Sequence, residues 1–283
     1  MLSLHTNNAA LSAQNSIART QGNLSTSMTR LSTGYRINSA MDDAAGLQIA
    51  SRLKAQTSGM TVAMRNTQNS TSMLQTAEGA LDEVSNMLVR MKDLATQAAD
   101  ASSTDDDKDA MQLEYDALGL ELSNVLKNTT FGGETLLVGG TVESAMTFQI
   151  GASSSETMEV DLSAAMSTLD TDISAVSANY SAATTGTELT TNANSTIQTL
   201  EDALASVSTV RSSLGAAANR LEHVYNNLAN ISTNTKAATG QIMDVDFASE
   251  SANMTSNQML LQASTAMLKQ SNSMSSMVMS LLQ

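Results

Sequence analysis

Nothing in this sequence obliges a helix to stop, because proline is absent from all 283 residues. Proline removes a backbone donor and clashes with the preceding turn, so a chain without it can run helices far longer than a globular domain needs. The apolar residues then recur in alternating steps of three and four, the spacing of a coiled-coil seam. Ile17, Leu24, Met28, Leu31 and Tyr35 follow it in residues 1–33. Met60, Met64, Thr67, Thr71, Leu74, Ala77, Leu81, Val84, Leu88 and Met91 carry it along a helix predicted from about Ala40 to Ala99. Some 55 to 60 helical residues at about 1.5 Å each would span roughly 80 to 90 Å, a rod rather than a globule. The acidic turn Ser103-Thr104-Asp105-Asp106-Asp107 ends that helix. Met111, Tyr115, Leu118, Leu122 and Val125 then predict a second one packed back on it. A third resumes near Ser195, carries Leu200, Val207, Leu214, Leu221 and Leu228 on its stripe, and is interrupted at Gly240.

The last segment has two apolar stripes. Met254, Gln258, Leu261, Thr265, Leu268, Asn272, Ser275, Met279 and Leu282 form one; Leu260, Ala263, Met267, Gln270, Met274, Met277 and Leu281 form another beside it. Lys269 is the only charge after Glu250. One partner helix cannot cover both stripes, so the segment is expected to sit among several neighbours. Composition agrees with an extended helical chain. Aromatic residues make up 2%, too few for an ordinary globular core, while 19 methionines supply flexible filling for helical seams. A net charge of −14 argues against nucleic acid and anionic membrane as partners. No apolar run is long enough to span a bilayer. There is no cysteine.

Residues 128–210 differ from the rest, with ten acidic residues, no Lys or Arg, and clusters of Gly, Ser and Thr. Met146–Ile150 and Thr157–Leu162 alternate apolar and polar residues around a turn-rich connection, which predicts a small β-hairpin. Residues 163–193 show little periodicity and are expected to face solvent and be expendable. Between Arg30 and Arg52 one helix stops and another starts. Gly34 is placed to end the first in the left-handed conformation. Ser39 with Asp42 makes a capping-box-like start for the next, and Asp42 and Asp43 fall in its first turn. Ala44, Ala45 and Gly46 leave a bare side on which another backbone could lie.

The string RLSTGYRINSAMDDAAGLQIA in that stretch resembles the N-terminal signature of bacterial flagellins, and the match continues through Gln75-Thr76-Ala77-Glu78-Gly79-Ala80-Leu81. A second block, Leu214-Gly215-Ala216 through Asn219-Arg220-Leu221-Glu222 to Asn226-Asn227-Leu228, resembles the family's C-terminal region. Gly240-Gln241 stands where the family often has Ser-Arg before the motif seen here as Ile242-Met243-Asp244-Val245-Asp246. The resemblance implies a mainly α, elongated helical coiled-coil bundle: a terminal helix pair plus a three-helix rod, with a small β-hairpin region. It divides the chain into an inner-core helix (1–39), rod helices (40–128), a short acidic surface-facing region (129–194), a C-terminal rod helix (195–240) and a C-terminal inner-core helix (241–283). Function would be that of a structural subunit polymerising into the flagellar filament for motility. A hook-filament junction protein shares the plan, and a type III secreted translocator or adhesin is the rival of another class.

On this reading polymerisation contacts fall on Leu24, Met28, Arg30, Leu31, Arg36, Asp42, Asp43, Leu261, Leu268, Met279 and Leu282. Leu88, Arg90, Leu94 and Gln97, with Glu114 on the neighbouring helix, resemble the segment through which many flagellins engage the next subunit and an animal Toll-like receptor. Further implied partners are other copies of the chain, hook-associated junction and cap proteins, and an export chaperone at the C-terminal helix. The implied location is the extracellular filament, reached through the flagellar type III apparatus without a cleaved signal peptide. No catalytic, metal or cofactor site is expected: His5 and His223 lie far apart, Glu222-His223 is part of a helix rather than an HExxH motif, and there is no phosphate loop.

Overall fold

The structure is a computed structural model that describes residues 7–281. Among those residues it is mainly helical, with six helices and two small antiparallel strand pairs. In order these are α1 (Asn8–Thr33), α2 (Ala44–Ala98), α3 (Asp105–Asn128), β1 (Thr130–Phe131), β2 (Glu134–Thr135), β3 (Met146–Gln149), β4 (Thr157–Val160), α4 (Ser163–Val176), α5 (Glu188–Met243) and α6 (Phe247–Leu281). Compactness divides the chain into two units, one formed by the residues up to Thr57 and from Thr233 onward, the other by Ser58–Ser232.

In the Ser58–Ser232 unit, the seam residues of α2, α3 and α5 form one apolar core. Leu74, Ala77, Leu81, Val84, Leu88, Met91, Tyr115, Leu122, Leu200, Val207, Val210, Leu214 and Leu221 are all buried in it. Ion pairs set the directions. Arg90 on α2 meets Glu114 on α3 at 2.7 Å; Lys92 and Asp82 on α2 meet Glu201 and Arg211 on α5, each at 2.8 Å. As the α2 number falls from 92 to 82 the α5 number rises from 201 to 211, so α5 runs antiparallel to α2; the short connection 99–104 and the Arg90–Glu114 pair return α3 along α2. The acidic turn ends α2 and also starts α3, where Thr104 and Asp107 form a complete capping box. Gly132 and Gly133, both at positive φ, close the β1–β2 turn. The predicted hairpin is β3–β4, registered from Met146 opposite Val160 to Gln149 opposite Thr157.

Several expectations are corrected. Within residues 163–193 the stretch 181–185 is exposed as expected, but Ser163–Val176 is neither aperiodic nor a solvent-facing loop. Met166, Leu169, Ile173 and Val176 recur in steps of three, four and three, are buried, and bind α4 into the core. The Tyr115 hydroxyl donates to the Val176 carbonyl at 2.7 Å, and Ser123 and Lys127 donate to that of Tyr180. Gln112, buried on α3, takes the Leu189 amide at 2.8 Å and donates to Asp116 and Glu188, each at 2.8 Å. These bonds satisfy polar groups that burial would otherwise make costly. They also surround Tyr115, whose phenol is pushed up by burial and by the Glu188 and Asp116 carboxylates. The third long helix starts at Glu188, with non-helical backbone at Asn192, and runs through Gly240 to Met243 without the expected interruption. Unlike proline, one glycine in a helix costs only about 1 kcal/mol against alanine. And α2 starts at Ala44, not near Ala40.

Candidate functional site

In the other unit, α1 and α6 pack against each other. The heptad is real, but it selects smaller residues than the apolar pattern suggested. Along α1 the buried or half-buried positions are Ala10, Ala13, Ile17, Thr20, Leu24, Ser27 and Leu31, with Ser16 and Arg30 beside them; along α6 they are Glu250, Met254, Asn257, Leu261, Ser264, Leu268 and Ser271. Each helix thus shows a large residue every seven positions with a small or polar one between, which lets two backbones approach closely. The pairing is antiparallel. Asn7 donates to the Ser271 hydroxyl at 3.1 Å near one end, and Arg30 meets Glu250 at 3.8 Å near the other. Of the C-terminal stripe, Met254, Leu261 and Leu268 belong to this seam, while Gln258, Thr265 and Asn272 are exposed and replaced by the residue before each.

An elbow joins this pair to α2 and α5. Gly34 has φ +76° and its amide donates to the Arg30 carbonyl at 2.9 Å, ending α1 as expected. The two chains leaving α1 and α5 then pair. Tyr35 bridges Asp244, the Val245 amide donates to the Gly34 carbonyl at 3.0 Å, and the Arg36 guanidinium donates to the Ile242 carbonyl at 2.9 Å. Ile37 and Val245 are buried. Asp42 does not enter a helical turn. Its carboxylate takes the Asn38 and Ser39 amides at 3.0 and 2.9 Å, and those bonds, the Ser39 amide first, hold it below the usual carboxylate range. Asp43 is the cap, taking the Gly46 amide at 2.8 Å. The bareness at Gly46 serves this turn and not a second backbone: a Cβ there would lie 2.6 Å from the Asp43 carboxylate and 2.8 Å from Ile37. Arg30 reaches both Asp42, at 4.0 Å, and Glu250. On the far side Asp246 caps α6, with the Ser249 hydroxyl the first cause of its lowered pKa.

The structure therefore brings Leu24, Arg30, Leu31, Leu261 and Leu268 into the α1–α6 pair and Arg36, Asp42 and Asp43 into the elbow. Met28 is exposed outside the seam. Leu282 lies outside the described residues, and so does the Met279 side chain. Among the polar side chains that the pair leaves uncovered stand large apolar ones: Met267 is 67% exposed, Met277 63%, Leu11 61%, Met259 60%, Met274 56% and Leu260 52%. Contiguous apolar surface of this kind marks an interaction face, and Lys269 is the only charge in α6 after Glu250. Leu260, Ala263, Met267, Gln270 and Met274 of the second stripe of α6 are thus exposed in the single chain. The small-residue positions Thr20, Ser27, Ser264 and Ser271 were missed because their polarity hides them from an apolar template. Their seven-residue spacing was the signal.

In the other unit, Leu88 is 0% exposed and Leu94 3%, so both are core residues and offer no surface. Adjacent positions on a helix point some 100° apart, and the outward face here carries Val89, Arg90, Asp93 and Gln97. Arg90 and Glu114 are joined to each other in a surface ion pair. Among the described residues no group of three His, Cys, Asp or Glu side chains could hold a metal, and no helix is long and apolar enough to cross a membrane.

Residues 4–142 match the bacterial flagellin N-terminal helical region and residues 197–282 the bacterial flagellin C-terminal helical region. A flagellin of Halalkalibacterium halodurans is 42% identical over 258 residues, 90% of each chain, and flagellin A of Vibrio anguillarum is 33% identical over a 379-residue alignment that covers all of both. A solved structure assigned to a flagellar hook-associated protein of Vibrio parahaemolyticus covers 72% of this chain and all of its own, with a TM-score of 0.55 at 18% identity. That last likeness is one of fold.

Proposed function

Because this chain belongs to the bacterial flagellin family and is a structural subunit of the flagellar filament, we propose that its paired terminal helices are the surface through which copies polymerise. One observation carries this. The α1–α6 pair buries a single stripe and leaves a nearly uncharged row of Met and Leu side chains exposed. Repeated in a heterologous, non-closing assembly, such a row is covered by the terminal helices of neighbouring copies. The inner-core, rod and surface-facing assignments of 1–39 with 241–283, 40–128 with 195–240, and 129–194 belong to this proposal. So do hook-associated junction and cap proteins, which would meet the same face at the filament ends, an export chaperone that covers it beforehand, and passage through the flagellar type III apparatus. The Val89, Arg90, Asp93 and Gln97 face, with Glu114, is the surface left for a neighbouring subunit or a Toll-like receptor. The junction-protein and translocator readings draw no support from the relatives.

Seeded growth of filaments tests the proposal. Met267→Asp puts a charge at a site already exposed in the single chain, so the variant monomer should fold as the parent does. It should fail to elongate seeds, because burying an unpaired carboxylate at every copy is costly. Normal elongation would mean that the row is not buried on assembly.

A further inference from the structure

Sulfur sets the exposed face of α6 apart from an ordinary apolar face. Met259, Met267, Met274 and Met277 are each more than half exposed, and at about 100° per residue all four fall within one quarter of the helix circumference. The opposite side of the same helix carries Met254, Leu261 and Leu268 towards α1. In the other unit Met60, Met87, Met91, Met158 and Met166 are buried. No cysteine competes for oxidant anywhere in the chain. A thioether reacts with peroxide where peroxide can reach it, so the buried methionines are protected while this face is open to it, as are Met28, 50% exposed on α1, and Met41, 97% exposed in the turn before α2, neither of which lies on the face.

We infer that this face is an oxidation-sensitive patch that gates assembly, with hydrogen peroxide as its reagent. A sulfur lone pair attacks one peroxide oxygen, the O–O bond breaks, and with a proton transfer the other oxygen leaves as water. Each sulfur is oxidised by two electrons and each peroxide reduced by two. The product replaces an apolar, adaptable side chain with a strongly accepting sulfoxide. Four of these on one face demand hydrogen bonds that an apolar interface does not supply. The reaction acts on the free subunit, since neighbours shield the sulfurs once they are in place; in this the inference rests on the proposed burial of the same face.

The experiment treats full-length monomer with hydrogen peroxide, maps sulfoxides by peptide mass spectrometry, and measures seeded elongation. Met259, Met267, Met274 and Met277 are expected to react ahead of Met91 and Met166, and elongation to fall by about tenfold or more, since sulfoxides disrupt Met-rich interfaces. Treatment with the two methionine sulfoxide reductases, one for each epimer, should restore it. A variant with these four changed to Leu, Met28 and Met41 being left in place, is compared with itself: whatever its own rate of elongation, peroxide should leave that rate unchanged. Subunits bearing the four sulfoxides that elongate at the untreated rate would overturn the inference, and so would a Leu variant that loses elongation on oxidation as the parent does. If Met267→Asp also elongates normally, the assembly reading itself has failed; if Met267→Asp is blocked while oxidised subunits grow, only the oxidation step is wrong.

Discussion

At the scale of single residues, the turns of this chain are held by carboxylates that take backbone amides and hydroxyls. Asp107 is bound by the Thr104 hydroxyl and amide, Asp42 by the Ser39 and Asn38 amides, Asp246 by the Ser249 hydroxyl and the Ala248 amide, and all three titrate below the usual range. A group whose pKa is depressed in the folded state contributes stability above its unfolded value, about 3.9 for Asp, and that contribution is lost as pH falls through the folded value. Thermal melts of monomer should therefore show stability falling below about pH 4, and Asp107→Asn should be less stable than the parent at neutral pH with the difference narrowing in acid. An equal difference at every pH would contradict this. Gly34 offers a second test. With φ at +76°, alanine there costs about 1–2 kcal/mol per copy, so filaments of Gly34→Ala should depolymerise at lower temperature than those of the parent. Gly34 was legible as a helix stop, since few residues but glycine end a helix this way. The split of roles between Asp42 and Asp43 was not, because two adjacent carboxylates satisfy the same capping pattern and only the backbone path decides which caps.

Among the elements, α4 shows where a sequence template gave way. Its apolar residues do recur at helical spacing, but over Ser163–Val176 they are too few to stand out between Ser- and Thr-rich flanks, and the expectation that these residues face solvent is overturned by their burial. Leu169→Ala should then cost about 2–5 kcal/mol, the range for a large side chain removed from a core. Tyr115→Phe should cost about 1–3 kcal/mol by leaving the Val176 carbonyl unsatisfied. Urea unfolding of monomer measures both. No change in either would return this segment to the surface, whereas the expected losses mean that excising 165–191 removes part of a core instead of a loop. The long helices α2 and α5 were legible nearly end to end because ten or more stripe residues repeat without a proline to interrupt them. Even so, Gly240 stops nothing, as the helix it sits in continues for three more residues.

For the whole molecule, the two units differ in what they bury. The Ser58–Ser232 unit closes a core of Leu, Met, Val, Ile and Tyr, while the α1–α6 pair closes a seam in which Ala, Ser, Thr and Asn alternate with single large residues. Ordering backbone costs about 1–2 kcal/mol per residue, and one narrow seam offsets that less well than a full core does. The second stripe of α6 was plain in the sequence; what covers it was not, because a lone chain does not contain its neighbours. The terminal helices should accordingly be ordered by assembly. Amide hydrogen exchange on verified monomer and on filaments compares the two states directly. Amides of α1 and α6 should exchange quickly in monomer and be strongly protected in filament, while those of α3 and α4 are protected in both. Equal, strong protection of α1 and α6 in the two states would show that the pair is already stable alone and that its exposed stripe is not what assembly buries.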